Sequence, residues 1–316
     1  MMPDRKVIAV MGATGAQGGG LVRAIIADRN SEFTARAITR DPSSGNAKAL
    51  ADAGADVVSA DSYDPGSLEQ AFAGAHGIFC VSFYWNTFSP EKEGEEIRNM
   101  AAAARVARPR HVIWSTLEDS RNCIPLSDDR MPTLLGNYKV PHFDSKAQCD
   151  HLFADLPTTY MLASFYWENF IRFGQEPKPG PDGQLELSLP IGSSKMAGIA
   201  AQDVGRCCYG IFKRGADLIG HRIGLAGEHL SGNQMAAAFT KHLGQPVRFN
   251  ALTPATFRAF GFPGADDLGN MFQYYDECAD ELNATRDVAR SRALNPDLMN
   301  FDTWLAANAA AIPIGS

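Results

Sequence analysis

An apolar run, Val7-Ile8-Ala9-Val10-Met11, breaks into Gly12-Ala13-Thr14-Gly15-Ala16-Gln17-Gly18 and then into a helix-like pattern. Glycine at every third position after a strand-like run leaves few folds open. The first permits a tight turn, the second lets a pyrophosphate approach the backbone, and the third lets helix and strand pack closely. Phosphates then rest on the unpaired N–H groups at the positive end of the helix. The candidates for this contact are Gly12, Thr14, Gly15, Ala16, Gln17 and Gly18. The plain alternative is a glycine-rich turn with no ligand. The motif's position after a first strand, with a second strand following, favours the nucleotide.

Composition sets the outer bounds. A chain of 316 residues, 45% hydrophobic, has the material for a large core. A net charge of −7 with no dense Lys/Arg block argues against nucleic acid as partner. Apolar stretches such as Gly77–Trp85 are too short to span a bilayer, so no membrane is expected. Met1–Lys6 leads straight into the first strand, so a signal peptide is not expected either. Cys80, Cys123, Cys149, Cys207, Cys208 and Cys278 are scattered without Cys-x-x-Cys spacing. That pattern predicts reduced, mostly buried thiols of a cytoplasmic protein, with neither a disulfide frame nor a zinc site.

The first half alternates strand and helix. Strands are predicted at Lys6–Met11, Thr34–Thr39, Asp56–Ala60, Gly77–Ser82, His111–Ser115 and Thr158–Ala163. Helices are predicted at Gly18–Asp28, Asn46–Ala53, after Asp64-Pro65, at Pro90–Arg108 and at Pro141–Ala154. This rhythm implies a Rossmann doubly wound parallel sheet, an α/β fold with helices on both faces. Beyond about Phe165 the rhythm changes. Gly174–Gly183 reads as an exposed loop, Gln184–Pro190 as a hairpin strand, Gln202–Arg214 as a helix, and Arg222–Ala226 and Pro246–Asn250 as strands. Ser231 and Gln234 fit a capping box before Met235–Leu243, Thr253-Pro254 opens a further helix, and Ala265–Asp280 is amphipathic. The expected organisation is a cofactor domain over residues 1–164. A smaller α+β cap follows over residues 165–316, from which the chain returns to the core near 195–215.

Choice of dinucleotide turns on the end of the second strand. An acid there bonds the ribose 2′-hydroxyl of NAD. Here stand Thr39 and Arg40, with Asp41 one place late. A guanidinium grips a 2′-phosphate in bidentate fashion, so NADP(H) is expected in preference to NAD(H). Arg40 as a solvated loop cation, with Asp41 turned to a ribose, is the other reading. Arg36 and Lys48 are secondary candidates for the same phosphate. Asp61 and Ser62, after the third strand, suit either the adenine amine or a turn cap.

Taken together, Gly12–Gly18, Thr39-Arg40-Asp41-Pro42, Phe83-Tyr84-Trp85 and His142-Phe143-Asp144-Ser145-Lys146 resemble the NmrA-like family, atypical members of the short-chain dehydrogenase/reductase superfamily. Phe165-Tyr166-Trp167-Glu168-Asn169-Phe170 and Phe262-Pro263-Gly264-Ala265-Asp266-Asp267-Leu268 extend the likeness over nearly the whole chain, most closely to the redox-sensor branch typified by HSCARG. The resemblance implies a Rossmann domain, NADP(H) binding and a modest cap. It also implies a sensor of cofactor state that binds a regulatory protein with little or no turnover. The alternative is an NADPH-dependent reductase of a small carbonyl or conjugated alkene held in an aromatic-lined cleft. Monomer and homodimer both stay open.

Superfamily reductases carry Tyr and Lys four apart on one helix, which puts both on one face. Lys146 fits the Lys position, but His142 stands four before it, and the nearest tyrosine is Tyr138. Three readings follow. Lys146 bonds the nicotinamide ribose and nothing is catalysed; or His142 or Lys146 donates a proton, as a lone Lys does in isoflavone-reductase-like relatives; or both are structural. Ser115 and Thr116 fall where the superfamily places its hydroxyl residue. Ser82, Phe83, Tyr84, Phe165, Tyr166 and Asn169 lie at strand ends, where the cofactor stacks or the core packs. His151, His221, His229 and His242 lack ligand spacing, so no metal is assigned.

Overall fold

The computed structural model describes residues 5–314; the Met1–Asp4 part of the expected lead-in lies outside the described residues. The first half runs β1 (Lys6–Val10), α1 (Ala16–Ala27), β2 (Phe33–Thr39), α2 (Gly45–Asp52), β3 (Asp56–Ser59), α3 (Pro65–Phe72), β4 (Gly77–Cys80), α4 (Pro90–Ala107), β5 (His111–Thr116), α5 (Pro141–Gln148) and β6 (Thr158–Leu162). There follow β7 (Phe165–Tyr166), α6 (Asn169–Arg172), β8 (Lys178–Pro179), β9 (Leu185–Leu189), β10 (Lys195–Ile199), α7 (Ala201–Arg214), β11 (Arg222–Gly224), β12 (Glu228–Ser231), α8 (Gly232–Leu243) and β13 (Val247–Ala251). The chain closes with α9 (Pro254–Arg258), α10 (Ala265–Glu277), α11 (Ala279–Thr285), α12 (Val288–Leu294) and α13 (Phe301–Asn308).

These elements form two units. The first holds the residues up to Glu118, then Ser145–Ala163 and Ala201–Ile223. Its sheet has seven strands in the order β3-β2-β1-β4-β5-β6-β11, and the strands from β3 through β6 pair in parallel. This is the Rossmann-like α/β fold expected from the alternation. Strand periodicity assigns the faces. Ala9, Met11, Val112 and Trp114 join Leu68, Phe72, Ile97 and Met100 of α3 and α4 in one buried cluster. On the opposite face, a methyl group at Gly77 would strike Ile8 and Phe212 of α7. There α1 and α7 approach at small residues: a Cβ on Gly205 would lie 2.1 Å from the Leu21 nitrogen.

Local chemistry explains most helix starts. Ser44 and Ser89 cap α2 and α4, accepting from the backbone N–H of Ala47 and Lys92. Asp64 accepts from the N–H groups of Gly66 and Ser67, with Pro65 at the first helical position of α3. The helix expected over Pro141–Ala154 is shorter: α5 ends at Gln148, and Asp150–Phe153 forms a separate tighter turn.

The second unit holds Asp119–Asp144, Ser164–Ala200 and the residues from Gly224 onward. It contains two three-stranded sheets, β12-β10-β7 and β13-β9-β8. The expected loop at Gly174–Gly183 includes β8, which pairs antiparallel with β9, and β9 also pairs in parallel with β13. The capping box of α8 forms as expected, Ser231 and Gln234 each bonding the other's backbone N–H. Phe165, Phe170, Phe239, Phe301, Trp167 and Trp304 stack into an aromatic core.

Residues 119–144 form a strap docked along α10. Asn270 Nδ2 donates to the carbonyls of Pro132 and Lys139, Gln273 Nε2 donates to that of Arg130, and Arg130 pairs with Glu277. At the end of that ladder Cys123 is disulfide-bonded to Cys278, 155 residues away, with Cα atoms 6.5 Å apart. This corrects the expectation that all six thiols are reduced. Scatter along the chain says nothing about adjacency once a strap is laid on a helix. Cys80, Cys149, Cys207 and Cys208 are buried and outside any disulfide, and burial raises their thiols, that of Cys149 to about 11.

Candidate functional site

Strand order in the first unit reverses at β1, which has β2 on one side and β4 on the other. In open parallel sheets, ligands bind beyond the carboxyl ends of the strands at such a switch. The glycine loop sits there. Gly12 has φ +61°, a conformation that L side chains rarely adopt, and a Cβ on it would meet Val81 at 3.1 Å. A Cβ on Gly18 would lie 2.6 Å from the carbonyl oxygens of both Met11 and Gly12. Helix α1 opens directly from this loop. It has no side-chain cap and no acid in its first turn, whereas α2, α3 and α4 are all capped by side chains. Its first-turn N–H donors are those that an anion at the helix terminus would satisfy. Gln17 lies in this turn and accepts a hydrogen bond from Ser115 Oγ at 2.8 Å, which brings the end of β5 to the loop.

Beyond β2, the Thr39 hydroxyl accepts from the Asp41 N–H at 3.2 Å. The Asp41 carboxylate accepts from the Ser43 N–H and hydroxyl, chiefly the hydroxyl, and these bonds hold its pKa below the ordinary carboxylate range. It is thus engaged in its own turn. Arg40 is exposed and makes no hydrogen bond or ion pair among the described residues. Arg36, the secondary candidate, is committed elsewhere: it pairs with Asp56 and donates to the carbonyls of Ala71 and Ala73. Asp61 and Ser62 make contacts in the turn beyond β3. Asp61 Oδ1 accepts from the Tyr63 N–H, and the Ser62 carbonyl accepts from Asn99.

Thr116 is the last residue of β5. It alternates with Ser115 along β5 and so faces the other way, donating to Asp150 at 2.6 Å beside the Trp114 indole N–H. Beyond β4, Phe83 is 54% exposed, while Tyr84 is buried, packs edge-on against Trp85 and Phe88, and donates to the Phe88 carbonyl.

Lys146 enters the first unit from α5 and is buried. Its ammonium donates to Ser82 Oγ at 2.6 Å and to the Ser82 carbonyl at 3.1 Å. It also pairs with Glu93 Oε1 at 3.1 Å and lies 5.3 Å from the centre of the Trp114 ring. Ser82 Oγ in turn donates to Glu93 Oε1 at 2.8 Å, and Ser145 Oγ donates to Glu93 Oε2. Sequence reasoning missed Glu93 because Glu91-Lys92-Glu93-Gly94-Glu95-Glu96 reads as a solvated first turn. A signal did exist: Glu93, Ile97, Met100, Ala101 and Ala104 recur at helical spacing and form the buried stripe of α4. Glu96 is buried too, and desolvation raises its carboxyl above the ordinary range.

His142 lies in the second unit, where its Nδ1 is 2.6 Å from Asp267 Oδ1 and its backbone N–H donates to Asp267 Oδ2. Asp267 thus anchors the strap to α10. Phe165, Tyr166 and Asn169 are also in this unit. Phe165 packs against Phe170 and Phe272, in line with the core-packing reading, while Tyr166 pairs with Ile199 and Asn169 opens α6. Three of the other histidines have side-chain partners of their own: His229 bonds the Arg286 carbonyl, His242 pairs with Asp302, and His151 bonds the Gln148 carbonyl. Among the described residues no group of three or more His, Cys, Asp or Glu stands where it would hold a metal ion. Nor is any helix long and apolar enough to cross a membrane.

A doubly wound sheet with an open glycine loop at its switch point defines a Rossmann-type α/β protein. Residues 4–305 match the model of the NmrA-like family, and the chain belongs to that family. It is 26% identical to the NmrA-like family domain-containing oxidoreductase ptmS of Penicillium ochrochloron, over 98% of this chain and 100% of that one. It is 27% identical to the oxidoreductase FrzB of Cladobotryum sp, over 85% and 83% of the two chains. Among solved structures it is similar to NmrA, a negative transcriptional regulator. The NAD complex of NmrA superposes with a TM-score of 0.77 and the NADP complex with 0.74, each 22% identical and covering 96% of this chain and 95% of that one.

Proposed function

We propose that this chain is an NADP(H)-dependent reductase of a small carbonyl or conjugated alkene. In this reading the open end of α1 would hold the pyrophosphate, Arg40 would hold the 2′-phosphate, and Lys146 would donate the proton to the substrate. The relatives named as oxidoreductases and the NAD and NADP complexes of NmrA support a nicotinamide dinucleotide as the ligand. The observation that carries turnover is a buried ammonium at the carboxyl end of β4, held by Ser82 and Glu93. In its bound state the cofactor supplies the hydride. Lys146 exchanges its 3.1 Å bond to the Ser82 carbonyl for the substrate oxygen and keeps the Ser82 hydroxyl and Glu93 as its other partners.

A second reading, the cofactor sensor that binds a regulatory protein, is favoured by two observations. All three ammonium donors of Lys146 are engaged within the chain, and position 142 carries a histidine bonded to Asp267 rather than a tyrosine. The two are separated by following NADPH oxidation against a panel of aldehydes, quinones and enones. Turnover that disappears in Lys146→Ala supports the reductase. Thermal stabilisation by NADPH with no turnover across the panel overturns it and leaves the sensor.

A further inference from the structure

Glu93 is the least expected residue of the first unit. It is 2% exposed, in the first turn of α4, and it receives bonds from three residues: Ser82 beyond β4, Ser145 and Lys146 on α5. Burying a carboxylate and an ammonium together costs desolvation that the pairing only repays, and a well-packed apolar pair of the same volume does at least as well for stability. The fold therefore gains little from Glu93 and Lys146 as a pair. What the pair does secure is a charged amine with a fixed direction. Ser82 Oγ stands between them, accepting from Lys146 and donating to Glu93, so the hydroxyl has one orientation and the ammonium one rotamer. The Trp114 ring closes one side of the amine. Glu96 and Cys149 are the other titratable groups that feel its charge, and burial disfavours the charged form of both.

We infer that Glu93 is the positioning residue of this site: by its direct ion pair and through Ser82 it holds the Lys146 amine aimed at the carboxyl end of β4. The inference deepens the reductase reading, since it gives the proposed proton donor its counter-charge. It also makes a claim about Lys146 that holds whether or not any substrate is turned over.

The test uses the full chain and two readouts. The first is acetylation of Lys146 by acetic anhydride at neutral pH, followed by mass spectrometry, because only the uncharged amine reacts. Glu93→Gln preserves shape and removes charge, and is expected to speed Lys146 labelling by roughly tenfold relative to the other lysines. Glu93→Asp keeps the charge and restores most of the protection. Ser145→Ala, which removes one hydrogen bond to Glu93 without touching Lys146, falls between and serves if Glu93→Gln does not fold. The second readout is steady-state NADPH oxidation with a quinone. There Glu93→Gln lowers kcat by at least roughly tenfold while KM for NADPH moves less than about threefold, as expected when only a reaction-state interaction is lost. Unchanged labelling in both Glu93→Gln and Ser145→Ala overturns the inference. Changed labelling with no turnover by the wild-type chain upholds the role of Glu93 and overturns the reductase reading instead.

Discussion

Replacing Arg40 by alanine tests the cofactor assignment most directly. The residue follows the last position of β2 and is exposed, and its charge acts on Glu96 without a hydrogen bond or ion pair among the described residues, so its removal breaks no bond of the folded protein. The neighbouring acid does not take its place, because the Asp41 carboxylate is bonded to Ser43. A guanidinium on a partly exposed phosphate makes charge-assisted hydrogen bonds worth about 1.5–3 kcal/mol. At 1.4 kcal/mol per tenfold, NADPH affinity should fall by about 10- to 150-fold. NADH lacks the phosphate and should lose less than about threefold, the size of a rim-charge effect. Isothermal calorimetry of apo-protein with each nucleotide measures both. Arg36→Ala is the control: its guanidinium is committed to Asp56 and to the carbonyls of Ala71 and Ala73, so it should lower the melting temperature and leave the NADPH-to-NADH ratio unchanged. Equal losses for both nucleotides in Arg40→Ala would refute the clamp. A changed ratio in Arg36→Ala would move the clamp four residues back along β2.

Three further outcomes are expected. Breaking the Cys123–Cys278 bond, by a dithiol or by Cys123→Ser, opens a loop of 155 residues, for which chain entropy alone sets a ceiling of about 5 kcal/mol; a lower urea midpoint in reductant, absent from Cys123→Ser, checks it. Gly205→Ala puts a methyl group 2.1 Å from the Leu21 nitrogen and 2.2 Å from the Gly20 carbonyl carbon, forcing α1 and α7 apart. The cost should be about 3 kcal/mol or more, seen as a depressed melting temperature or loss of soluble protein. His111 is held neutral, its pKa shifted down to about 4 by burial, with no hydrogen-bond partner for Nδ1 among the described residues. Below the unfolded value near 6.5 the unfolded chain therefore binds a proton that the folded chain refuses. Stability should be lost as pH falls from about 6.5 to 4, by about 3 kcal/mol in total. Thermal melts across that range should flatten in His111→Gln.

The difference between what the chain discloses in one dimension and what it conceals follows the range of the interaction. Gly12, Gly15 and Gly18, Asp64 before Pro65, and Ser231 with Gln234 are written in windows of a few residues, because turns and caps are settled by neighbours. The glycine loop and the helix that opens from it are made almost wholly of such signals, and their local structure was legible. The chemical half is not local. Glu93 reads as a solvated charge until Lys146, 53 positions on, is brought over it. Thr116 reads as a site hydroxyl until Asp150 claims it, and His142 reads as a lone ring until Asp267, 125 positions on, pairs with it. Short strands such as β10, with Ala197 and Gly198 at its centre, carry no strand-forming composition and exist because β7 and β12 flank them. Position on a helix narrows this gap. The buried stripe of α4 runs back from Ala104 through Ile97 to Glu93, so periodicity alone places an acid in the core. An acid on a buried face demands a cation, and in this chain Lys146 was already the residue singled out as fitting the superfamily's lysine position. Pairing each charged residue on an apolar stripe with the nearest unexplained charge of opposite sign would have found Glu93 before any coordinates were known.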